Sequence, residues 1–439
     1  MIGRRISFLS CMDYKVFGCK TNKYFTERWL SHPYLDGKSG YFIASCIVTD
    51  RAKAKWVKYA LEKVHTLKKG EKLYLSGCGN LKNGTVNPEF YTVYPEFLSY
   101  QDRIELLSED PWDFLSFEGK INEKKQIQEK IRSFRNLSRK AVFTRKYLVI
   151  QTWCDNFCTF CLTIQARGKH VSRPQDEILQ EIREFIDTGG KEVVLTGTNL
   201  WAWWASSSNR YDESLFPSLV ESILEKTTIE RIRISSLGVE FCTPRLIELF
   251  SEPRINAYIH LSVQSGADPI LRRMSRHYDE KRLHEVLADI RNIKRVDSLP
   301  INIGADIIVG FPWETEDDFM RTYNLVKEYG ISQLHAFPFS RHITHESVPA
   351  WDFPDQIPEK EKLARLARLR ALADTIFQEF LEKNSTRDLE VLIEKVQKDT
   401  FSWWSENYIF CNEQNFSPFP WQEIARGKSI RGSYIFQSQ

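Results

Sequence analysis

Residues 147–161 read YLVIQTWCDNFCTFC, an apolar β-forming run that leads directly into three cysteines spaced C-x3-C-x2-C. Thiolates at Cys154, Cys158 and Cys161 lie within eight residues. One short loop can therefore turn all three onto three corners of an iron–sulfur cube. The fourth iron is then left without a protein thiolate, so a small chelating molecule can bind there and receive an electron. The spacing predicts a redox [4Fe-4S] cluster.

Two other interpretations of these cysteines stay open. A structural zinc site needs four ligands, commonly with paired C-x2-C or histidine spacing. His170 is a possible fourth ligand, but it follows the cysteines at no typical spacing. The three could also be unrelated thiols, although their tight spacing argues against that. We favour the iron–sulfur centre.

A strand–helix alternation extends outward from this motif. Helical periodicity, as at 175–188 and 317–329, separates segments with strand character at 147–152, 192–198, 231–236, 258–264, 301–309 and 334–340. Six βα units in about 200 residues predict a partial (β/α)6 barrel. An amphipathic helix over 358–384 should pack on it. Barrel enzymes build their active sites at the C-terminal ends of the strands, so the cluster loop is expected at the barrel mouth.

Three cysteines near the N-terminus share a position. Cys19, Cys46 and Cys78 each close an apolar, strand-like stretch, with Lys-rich amphipathic stretches between them. The C-terminal ends of parallel strands lie along one sheet edge, where distant cysteines can converge. Taken singly, each cysteine is typical of a small buried residue. Taken together, with Gly18 and Gly77 preceding two of them, they predict a second cluster.

Length and composition bound the class of protein. A chain of 439 residues predicts two or three domains, and an apolar fraction of 42% predicts a globular protein. The net charge of +3 does not by itself indicate a nucleic-acid partner. No stretch approaches the ~20 apolar residues of a membrane span, and the cytoplasm is the expected location. The nine cysteines, an odd number, argue against a fully paired disulfide framework.

The sequence predicts an α/β protein of four segments. These are a small parallel α/β domain at 1–105, a basic linker at 106–144, the barrel with its trailing helix at 145–385, and a small β-barrel at 386–439. Between residues 124 and 146 stand nine Lys or Arg and one acid, Glu129. This stretch fits phosphate contacts on RNA or, equally, a solvated helix face.

The cysteine motif and its place after the first barrel strand resemble the radical S-adenosylmethionine (SAM) superfamily. The resemblance implies that the amino and carboxylate groups of SAM ligate the open iron. Electron transfer would then yield methionine and a 5′-deoxyadenosyl radical.

Further motifs are similar to those of the methylthiotransferases within that superfamily. They are FGCKTN and TE at 17–27, SCIVTD at 45–50, SGCG at 76–79, LTGTN at 195–199, VQSG with M-x-R-x-Y at 263–278, and DIIVGFP with ET at 306–315. Ser405, Asn407 and Tyr408 resemble the H-T-x-N-Y of the family's terminal TRAM domain, an RNA-binding β-barrel. The likeness spans nearly the whole chain.

This resemblance implies a two-cluster mechanism. Cys19, Cys46 and Cys78 would hold a second [4Fe-4S] cluster through which sulfur is delivered. One SAM would supply the radical that removes a hydrogen from an unactivated carbon, and another SAM would donate the methyl group. An external electron donor and a sulfur source are implied as partners, and a membrane is not.

Polar residues near the ends of barrel strands are the candidate catalytic residues. Gln264 and Asp306 could contact substrate or SAM, and Arg276 could hold an anionic group or a base. The structural alternatives are a satisfied polar residue for Gln264, an inward carboxylate for Asp306 and a surface salt bridge for Arg276.

Residues of the second and third βα units are the candidate cofactor-binding residues. They are Gly189, Gly190, Thr196, Asn199 and Ser236. Arg173 follows the cluster loop and either faces the SAM carboxylate or bonds the loop's own carbonyls. Trp201, Trp203 and Trp204 follow a strand terminus, where they would stack on a base or serve as packing.

The residues at 18–27 most resemble those of the branch that acts on N6-threonylcarbamoyladenosine 37 in tRNA. That branch forms the 2-methylthio derivative of this nucleoside. The same chemistry on isopentenyladenosine 37 or on an aspartate of a ribosomal protein is the alternative. The chain departs from the family at Trp313, at 200–208, at 341–346 and just before Ser405. These departures affect substrate and RNA contacts but neither cluster.

Two interpretations of other kinds make different predictions. A non-catalytic, zinc-stabilised RNA-binding protein would be colourless and would not turn over SAM. A radical SAM enzyme with merely structural N-terminal cysteines would hold one cluster instead of two.

Overall fold

The structure is a computed structural model that describes most of the chain. The described residues are 12–111, 143–152, 154, 156–163, 166, 171–203, 215–341, 348–397, 400–419, 422 and 424–436. Contacts divide the chain into two compact units, one of residues 1–142, 161–170 and 342–348, the other of residues 143–160, 171–341 and 349–439. The predicted domain boundaries and the basic linker stay predictions. Within the described part of the chain, no helix combines the length and apolarity needed to cross a membrane.

A small parallel sheet organises the first unit. The elements of this unit are β1 (Asp13–Val16), α1 (Lys20–Leu30), β2 (Gly40–Ser45), α2 (Asp50–Thr66), β3 (Lys72–Gly77), β4 (Leu81–Lys82), β5 (Thr85–Val86), α3 (Phe90–Val93) and β6 (Ile104–Leu106). The sheet has the order β1-β2-β3-β6 and all its strands are parallel. The predicted parallel α/β layer is confirmed.

Helix α2 shows why the N-terminal sequence folds this way. The Thr49 side chain accepts a hydrogen bond from the backbone nitrogen of Ala52 at 3.0 Å and caps the helix. Trp56, Ala60 and Val64 recur every four residues and are fully buried. They form one apolar stripe that joins the core of β2 and β3.

The second unit contains a partial barrel of six parallel strands. Its elements are β7 (Lys146–Thr152), β8 (Val171–Ser172), α4 (Gln175–Asp187), β9 (Glu192–Gly197), α5 (Leu215–Lys226), β10 (Arg231–Ile234), α6 (Pro244–Glu248), β11 (Tyr258–Gln264), α7 (Asp268–Arg273), α8 (Glu280–Asn292), β12 (Asn302–Val309), α9 (Glu316–Glu328), β13 (Gln333–Pro338) and α10 (Glu359–Lys383). The sheets β7-β9-β10 and β11-β12-β13 are joined by parallel bridges at Ile232–Ile255 and Leu237–Leu261. The predicted (β/α)6 class is confirmed.

Alternation along the barrel strands separates an apolar face from a polar one. Leu148, Leu195 and Leu261 belong to the large core that packs against the helices. The intervening positions, such as Thr196 on β9 and Asp306 on β12, point to the opposite, inner face of the sheet. The inner face of the barrel is therefore rich in polar side chains.

The C-terminal segment forms two antiparallel three-stranded sheets around one small core. Its strands are β14 (Asp388–Leu392), β15 (Lys395–Gln397), β16 (Thr400–Trp404), β17 (Phe410–Asn412), β18 (Phe416–Pro418) and β19 (Ser429–Tyr434). The sheets have the orders β14-β19-β18 and β15-β16-β17, and a bridge from Val391 to Ser405 links them.

A buried charge cluster lies between the C-terminal segment and the N-terminal ends of the barrel strands, here called the barrel floor. Glu192 is fully buried and meets the guanidinium nitrogens of Arg145, Arg231 and Arg233 at 2.9, 3.1 and 3.1 Å. Burial by itself raises the pKa of the Glu192 carboxyl, but the three arginines outweigh it and hold the pKa well below its usual range. Arg233 also donates to the carbonyl of Ser405 at 3.3 Å.

The residues that resemble the TRAM signature lie at this same joint. Asn302 on β12 donates to the carbonyl of Asn407 at 3.0 Å. The ring of Tyr408 stacks on Tyr258 of β11, with centroids 4.3 Å apart. Inside the C-terminal segment, Ser405 donates to the Asn407 side chain at 2.8 Å. These residues therefore fasten the C-terminal segment to the barrel.

Candidate functional site

The cluster loop leaves the C-terminal end of β7, as the sequence predicts. Cys154 is half-buried and Cys158 is buried. Phe157 between them has a left-handed backbone and an exposed ring, so the chain turns sharply before Cys158. The Asn156 side chain donates to Glu240 at 3.4 Å. The loop is thereby tied to the segment that follows β10.

Arg276 holds the same loop from another side. Its Nη1 donates to Sγ of Cys158 at 3.3 Å, and its Nη2 reaches Glu240 at 3.4 Å and the carbonyl of Ser262 at 3.3 Å. Burial alone lowers the pKa of this guanidinium, but Tyr278, Glu240 and Cys158 together raise it above its ordinary value. Arg276 is therefore a buried, permanent cation beside a cysteine sulfur. The surface salt bridge considered for this residue is instead a buried one, since both partners are under 10% exposed.

The end of the loop is fixed by backbone contacts. Thr159 donates from its backbone nitrogen to the carbonyl of Met274 at 3.2 Å, and from its hydroxyl to the carbonyl of Arg273 at 2.8 Å. Cys161 is half-buried and belongs to the first compact unit. Leu162 follows it and packs with Ile47 and Cys78 in one hydrophobic cluster of that unit.

Several predicted site residues lie at the barrel mouth with the cluster loop. Thr196 is buried near the end of β9, and the backbone of Asn199 donates to the Gln151 side chain of β7 at 3.0 Å. Ser236 is exposed just after β10. Gln264 ends β11 in a left-handed conformation and is 9% exposed. In the same Gln-Ser-Gly turn, Gly266 approaches α9 so closely that a Cβ would lie 2.8 Å from a backbone atom.

Gly189 and Gly190 lie elsewhere. They follow the end of α4, where their backbone nitrogens donate to the carbonyls of Ile186 and Phe185. This is a helix C-cap, and the positive φ of Gly189 suits it. The turn precedes β9, so it lies at the opposite end of the sheet from the cluster loop. The structure does not bring these glycines together with the other cofactor-binding candidates.

Arg173 and two of the tryptophans have structural partners. Arg173 donates to the carbonyl of Val149 and to Glu181, at 2.9 and 2.8 Å. Trp201 stacks on Phe241, and both Trp201 and Trp203 are buried in the barrel core. The packing interpretation therefore holds for these two. Trp204, His170 and residues 124–142 lie outside the described residues.

Asp306 is joined by two histidines that the sequence analysis missed. Its carboxylate lies 3.0 Å from Nε2 of His260 on β11 and 3.4 Å from Nδ1 of His335 on β13. Burial raises the pKa of the Asp306 carboxyl, but the two imidazoles outweigh it and hold the pKa well below its usual range. The alternation of polar and apolar residues along the predicted strands could have indicated them. Each histidine is flanked by apolar residues and so occupies an inward position of its strand.

The three N-terminal cysteines follow β1, β2 and β3 at the same edge of the parallel sheet. Val16, Ala44 and Ser76 lie side by side in register, so Cys46 and Cys78 follow neighbouring strands at the same level. Asn22 in α1 donates to the carbonyls of Phe17 and Ser45 at 2.7 and 2.9 Å and so draws the Cys19 turn against the next loop.

Two glycines allow close approach of the chain beside these cysteines. Gly18 has φ +91°, and a Cβ there would lie 2.7 Å from Sγ of Cys46. Gly77 has φ +88°, and a Cβ there would lie 2.6 Å from the carbonyl oxygen of Ser45. Cys19 also occupies the N-cap of α1, where the helix dipole favours an anionic centre.

The donor sets of both sites fit [4Fe-4S] clusters. Each set consists of three cysteine thiols, and three thiolates leave one iron of such a cluster for another ligand. Cys242 and Cys411 belong to neither site. Both are buried, and burial raises the pKa of each thiol above its ordinary value, to about 12 for Cys242. Buried cysteines whose thiol pKa is raised in this way are chemically inert.

Comparison with known proteins places these sites in a family. The profile of the Radical SAM superfamily matches residues 148–326. The chain is 30% identical over 416 residues to the threonylcarbamoyladenosine tRNA methylthiotransferase MtaB of Thermotoga maritima, across 90% of this chain and 89% of that protein. It is 29% identical over 431 residues to the protein of the same name from Bacillus subtilis, across 91% and 90%.

A relative named for a different substrate matches a shorter region. The tRNA-2-methylthio-N(6)-dimethylallyladenosine synthase of Bdellovibrio bacteriovorus is 36% identical over 257 residues, across 58% of this chain and 54% of that protein. The names of both kinds of relative describe the formation of methylthio groups on tRNA. The chain therefore belongs to the radical SAM methylthiotransferase family, a family of transferases.

Proposed function

We propose that this protein inserts sulfur and a methyl group at C2 of N6-threonylcarbamoyladenosine 37 in tRNA. The observation that carries the proposal is the pair of three-cysteine sites, each at the C-terminal edge of a parallel sheet, in a chain that aligns over nine-tenths of its length with relatives named for this reaction. When bound, the clusters and SAM supply the radical and sulfur chemistry.

The chain's own residues position that chemistry. Cys154, Cys158 and Cys161 bind the first cluster, and Arg276 orients its loop through Cys158. Arg276 is therefore a positioning residue in this proposal. Gln264 at the mouth and Asp306 on the inner face contact substrate or SAM, together with Thr196, Asn199 and Ser236.

Cys19, Cys46 and Cys78 bind the second cluster in this proposal. The support is convergence: two of these cysteines follow strands in register, and glycine at position 18 makes room for the Cys46 sulfur. An electron donor and a sulfur source act from outside the chain.

The C-terminal segment and residues 124–146 would grip the tRNA backbone. The stretch 124–146 carries nine basic residues and one acid. Arg145 and Lys146 are paired with Glu192 and Glu181, so the seven basic residues at 124–140 are the ones that suit contacts to phosphates. The contacts of Asn407 and Tyr408 with the barrel tie the C-terminal segment to the catalytic part of the chain.

The second candidate substrate is N6-isopentenyladenosine 37. The specific observation that favours it is the 36% identity over 257 residues to a dimethylallyladenosine-directed relative, which equals the 36% identity over 276 residues to the threonylcarbamoyladenosine-directed relative of Aquifex aeolicus. That match covers little more than half of either chain, whereas the threonylcarbamoyl-directed relatives of Thermotoga and Bacillus match about nine-tenths of both chains. We therefore rank threonylcarbamoyladenosine first.

The test is nucleoside mass spectrometry after anaerobic turnover with SAM and a reductant. One tRNA carries N6-threonylcarbamoyladenosine and another carries N6-isopentenyladenosine. The proposal expects a 2-methylthio product on the first tRNA alone. Product on the second alone would move the enzyme to the alternative branch, and product on neither would overturn the tRNA assignment.

Metal analysis of reconstituted protein tests the two clusters independently of substrate. About eight irons per chain are expected, falling to about four when Cys154, Cys158 and Cys161 are all replaced by Ala. A start at about four and a fall to none would remove the second cluster. Zinc without iron would favour the non-catalytic RNA-binding alternative.

A further inference from the structure

Three side chains able to bind a metal meet on the inner face of the barrel. His260, Asp306 and His335 lie on the neighbouring strands β11, β12 and β13, and Asp306 is the direct cross-strand partner of His335. One carboxylate oxygen of Asp306 lies 3.0 Å from His260 Nε2 and 3.4 Å from His335 Nδ1. One ligand atom from each residue lies within 4.8 Å of the other two.

The inner histidine is held in the orientation of a metal ligand. Nδ1 of His260 lies 2.7 Å from the hydroxyl of Tyr258. Gly304 gives this pair its space, because a Cβ at that position would lie 2.6 Å from the same nitrogen. Metal-bound histidines typically fix their second ring nitrogen by such a hydrogen bond. Nε2 of His260 is therefore directed toward Asp306.

The outer part of the cluster has room for another ligand. The His260 side chain is buried, but those of Asp306 and His335 are 27% and 53% exposed. Two imidazoles and one carboxylate form a donor set suited to zinc or ferrous iron, and sites of this kind keep at least one coordination position open. The set contains no thiolate, so its chemistry differs from that of both cysteine sites.

We infer that His260, Asp306 and His335 bind one first-row divalent cation, with an open coordination position toward the inner face of the barrel. Ligand atoms of a tetrahedral zinc site lie about 3.3–3.6 Å apart when the bonds are about 2.0–2.2 Å long. The separations of 3.0 and 3.4 Å are already close to this value. The exposed ring of His335 can turn to adjust the third separation, between its ring nitrogen and that of His260.

Zinc binding by the reconstituted protein, with its iron–sulfur clusters in place, tests the site. Equilibrium dialysis against micromolar Zn²⁺ followed by metal analysis should give one zinc per chain. Asp306→Asn and His335→Gln nearly preserve side-chain size but remove a good ligand. Each should weaken zinc binding by about tenfold or more. Co²⁺ loaded in place of zinc should give a high-spin EPR signal that both variants lose.

His284→Gln is the matched control. His284 is a half-exposed histidine on α8 whose Nδ1 lies 2.8 Å from the Tyr329 hydroxyl, and its replacement should leave zinc binding unchanged. Iron is measured in the same samples, since zinc that displaced iron from cysteines would lower the iron content.

Equal zinc content in the wild-type protein and in Asp306→Asn would overturn the site. Absence of zinc from wild-type protein with full iron content would overturn it as well. The readout is metal binding and not methylthio transfer. Failure of the proposed tRNA reaction therefore leaves the result interpretable.

Discussion

At the residue scale, buried charges next to sulfur and carboxylate define the chemistry of this protein. Arg276 illustrates the point, because its guanidinium contacts Cys158 and Glu240 while almost excluded from solvent. A charged hydrogen bond in such surroundings is stronger than one in water. A single side chain can therefore set both the position and the electrostatic environment of the cluster loop.

Arg276→Gln should shift the reduction potential of the cluster at Cys154, Cys158 and Cys161 to a more negative value. The variant removes a cationic donor to a ligand sulfur and leaves Glu240 without its guanidinium, and both changes disfavour the reduced, more negative cluster. An EPR-monitored redox titration measures the shift. Arg282→Gln is the control, since Arg282 donates to a backbone carbonyl at 2.8 Å and is 31% exposed. An unchanged potential in Arg276→Gln would contradict this role.

Glu406 should make folding stability depend on pH. Burial raises the pKa of this carboxyl to about 7, from an ordinary value of 4.5, against the effect of Arg231 and of the backbone nitrogen of Glu390. The folded chain then holds this proton while the unfolded chain releases it. The free energy of unfolding therefore falls as pH rises from about 4.5 to about 7, by at most about 3 kcal/mol.

Glu406→Gln should remove this dependence. The Tm of the variant relative to wild type should rise between pH 5 and pH 8, and differential scanning calorimetry at several pH values measures it. Glu413→Gln, at an exposed position in the same C-terminal segment, should show no such trend. A Tm difference between Glu406→Gln and wild type that stays constant with pH would show that Glu406 does not cause the pH dependence.

At the element scale, most of the predicted cluster ligands follow the C-terminal ends of parallel strands. Cys46 and Cys78 follow β2 and β3 in register, and Cys154 follows β7. Loops at one edge of a parallel sheet are close in space although they are distant in sequence. Backbone glycines then decide how tightly neighbouring loops approach.

Gly18→Ala should disrupt the second cluster. A Cβ at this position would lie 2.7 Å from Sγ of Cys46, so the sulfur must move. Iron content is expected to fall from about eight to about four per chain. Gly70→Ala is a close control: its φ of +87° nearly equals the +91° of Gly18, but a Cβ there meets nothing within 4 Å. Full iron content in Gly18→Ala would argue against a cluster at this edge.

At the scale of the whole molecule, the second unit is held together by charge as well as by apolar packing. The carboxylate of Glu192 pairs with three arginines at the barrel floor. One of them, Arg233, also donates a hydrogen bond to the carbonyl of Ser405 in the C-terminal segment. Removing one partner from a buried ion cluster leaves uncompensated charge in a low-dielectric interior. The joint should therefore be sensitive to the loss of a single carboxylate.

Glu192→Gln should lower the free energy of unfolding by about 3–5 kcal/mol, because three buried guanidinium groups lose their counter-charge. Thermal unfolding followed by tryptophan fluorescence measures the change. Glu230→Gln is the control: Glu230 is 51% exposed and pairs with Lys191 at 2.6 Å, and such surface pairs contribute about 0–1 kcal/mol. Similar losses in the two variants would show that the floor cluster does not stabilise the joint.

Local sequence determined much of this protein. The C-x3-C-x2-C spacing, the strand and helix periods and the glycines before Cys19 and Cys78 depend on neighbours within a few residues, and they led to the barrel, to the N-terminal sheet and to both cysteine sites. Predicted strands such as 258–264 match the observed bounds of β11 for the same reason.

Tertiary structure alone decided the rest. The meeting of His260, Asp306 and His335 depends on the register of three strands, and the buried position of Arg276 depends on a loop more than a hundred residues away. Gly189 was predicted to bind cofactor because of its place in the second βα unit, yet strand direction places it at the end of the sheet opposite the cluster loop. Side-chain period tells which face a residue occupies, but register, strand direction and long-range packing energy decide which residues it meets there.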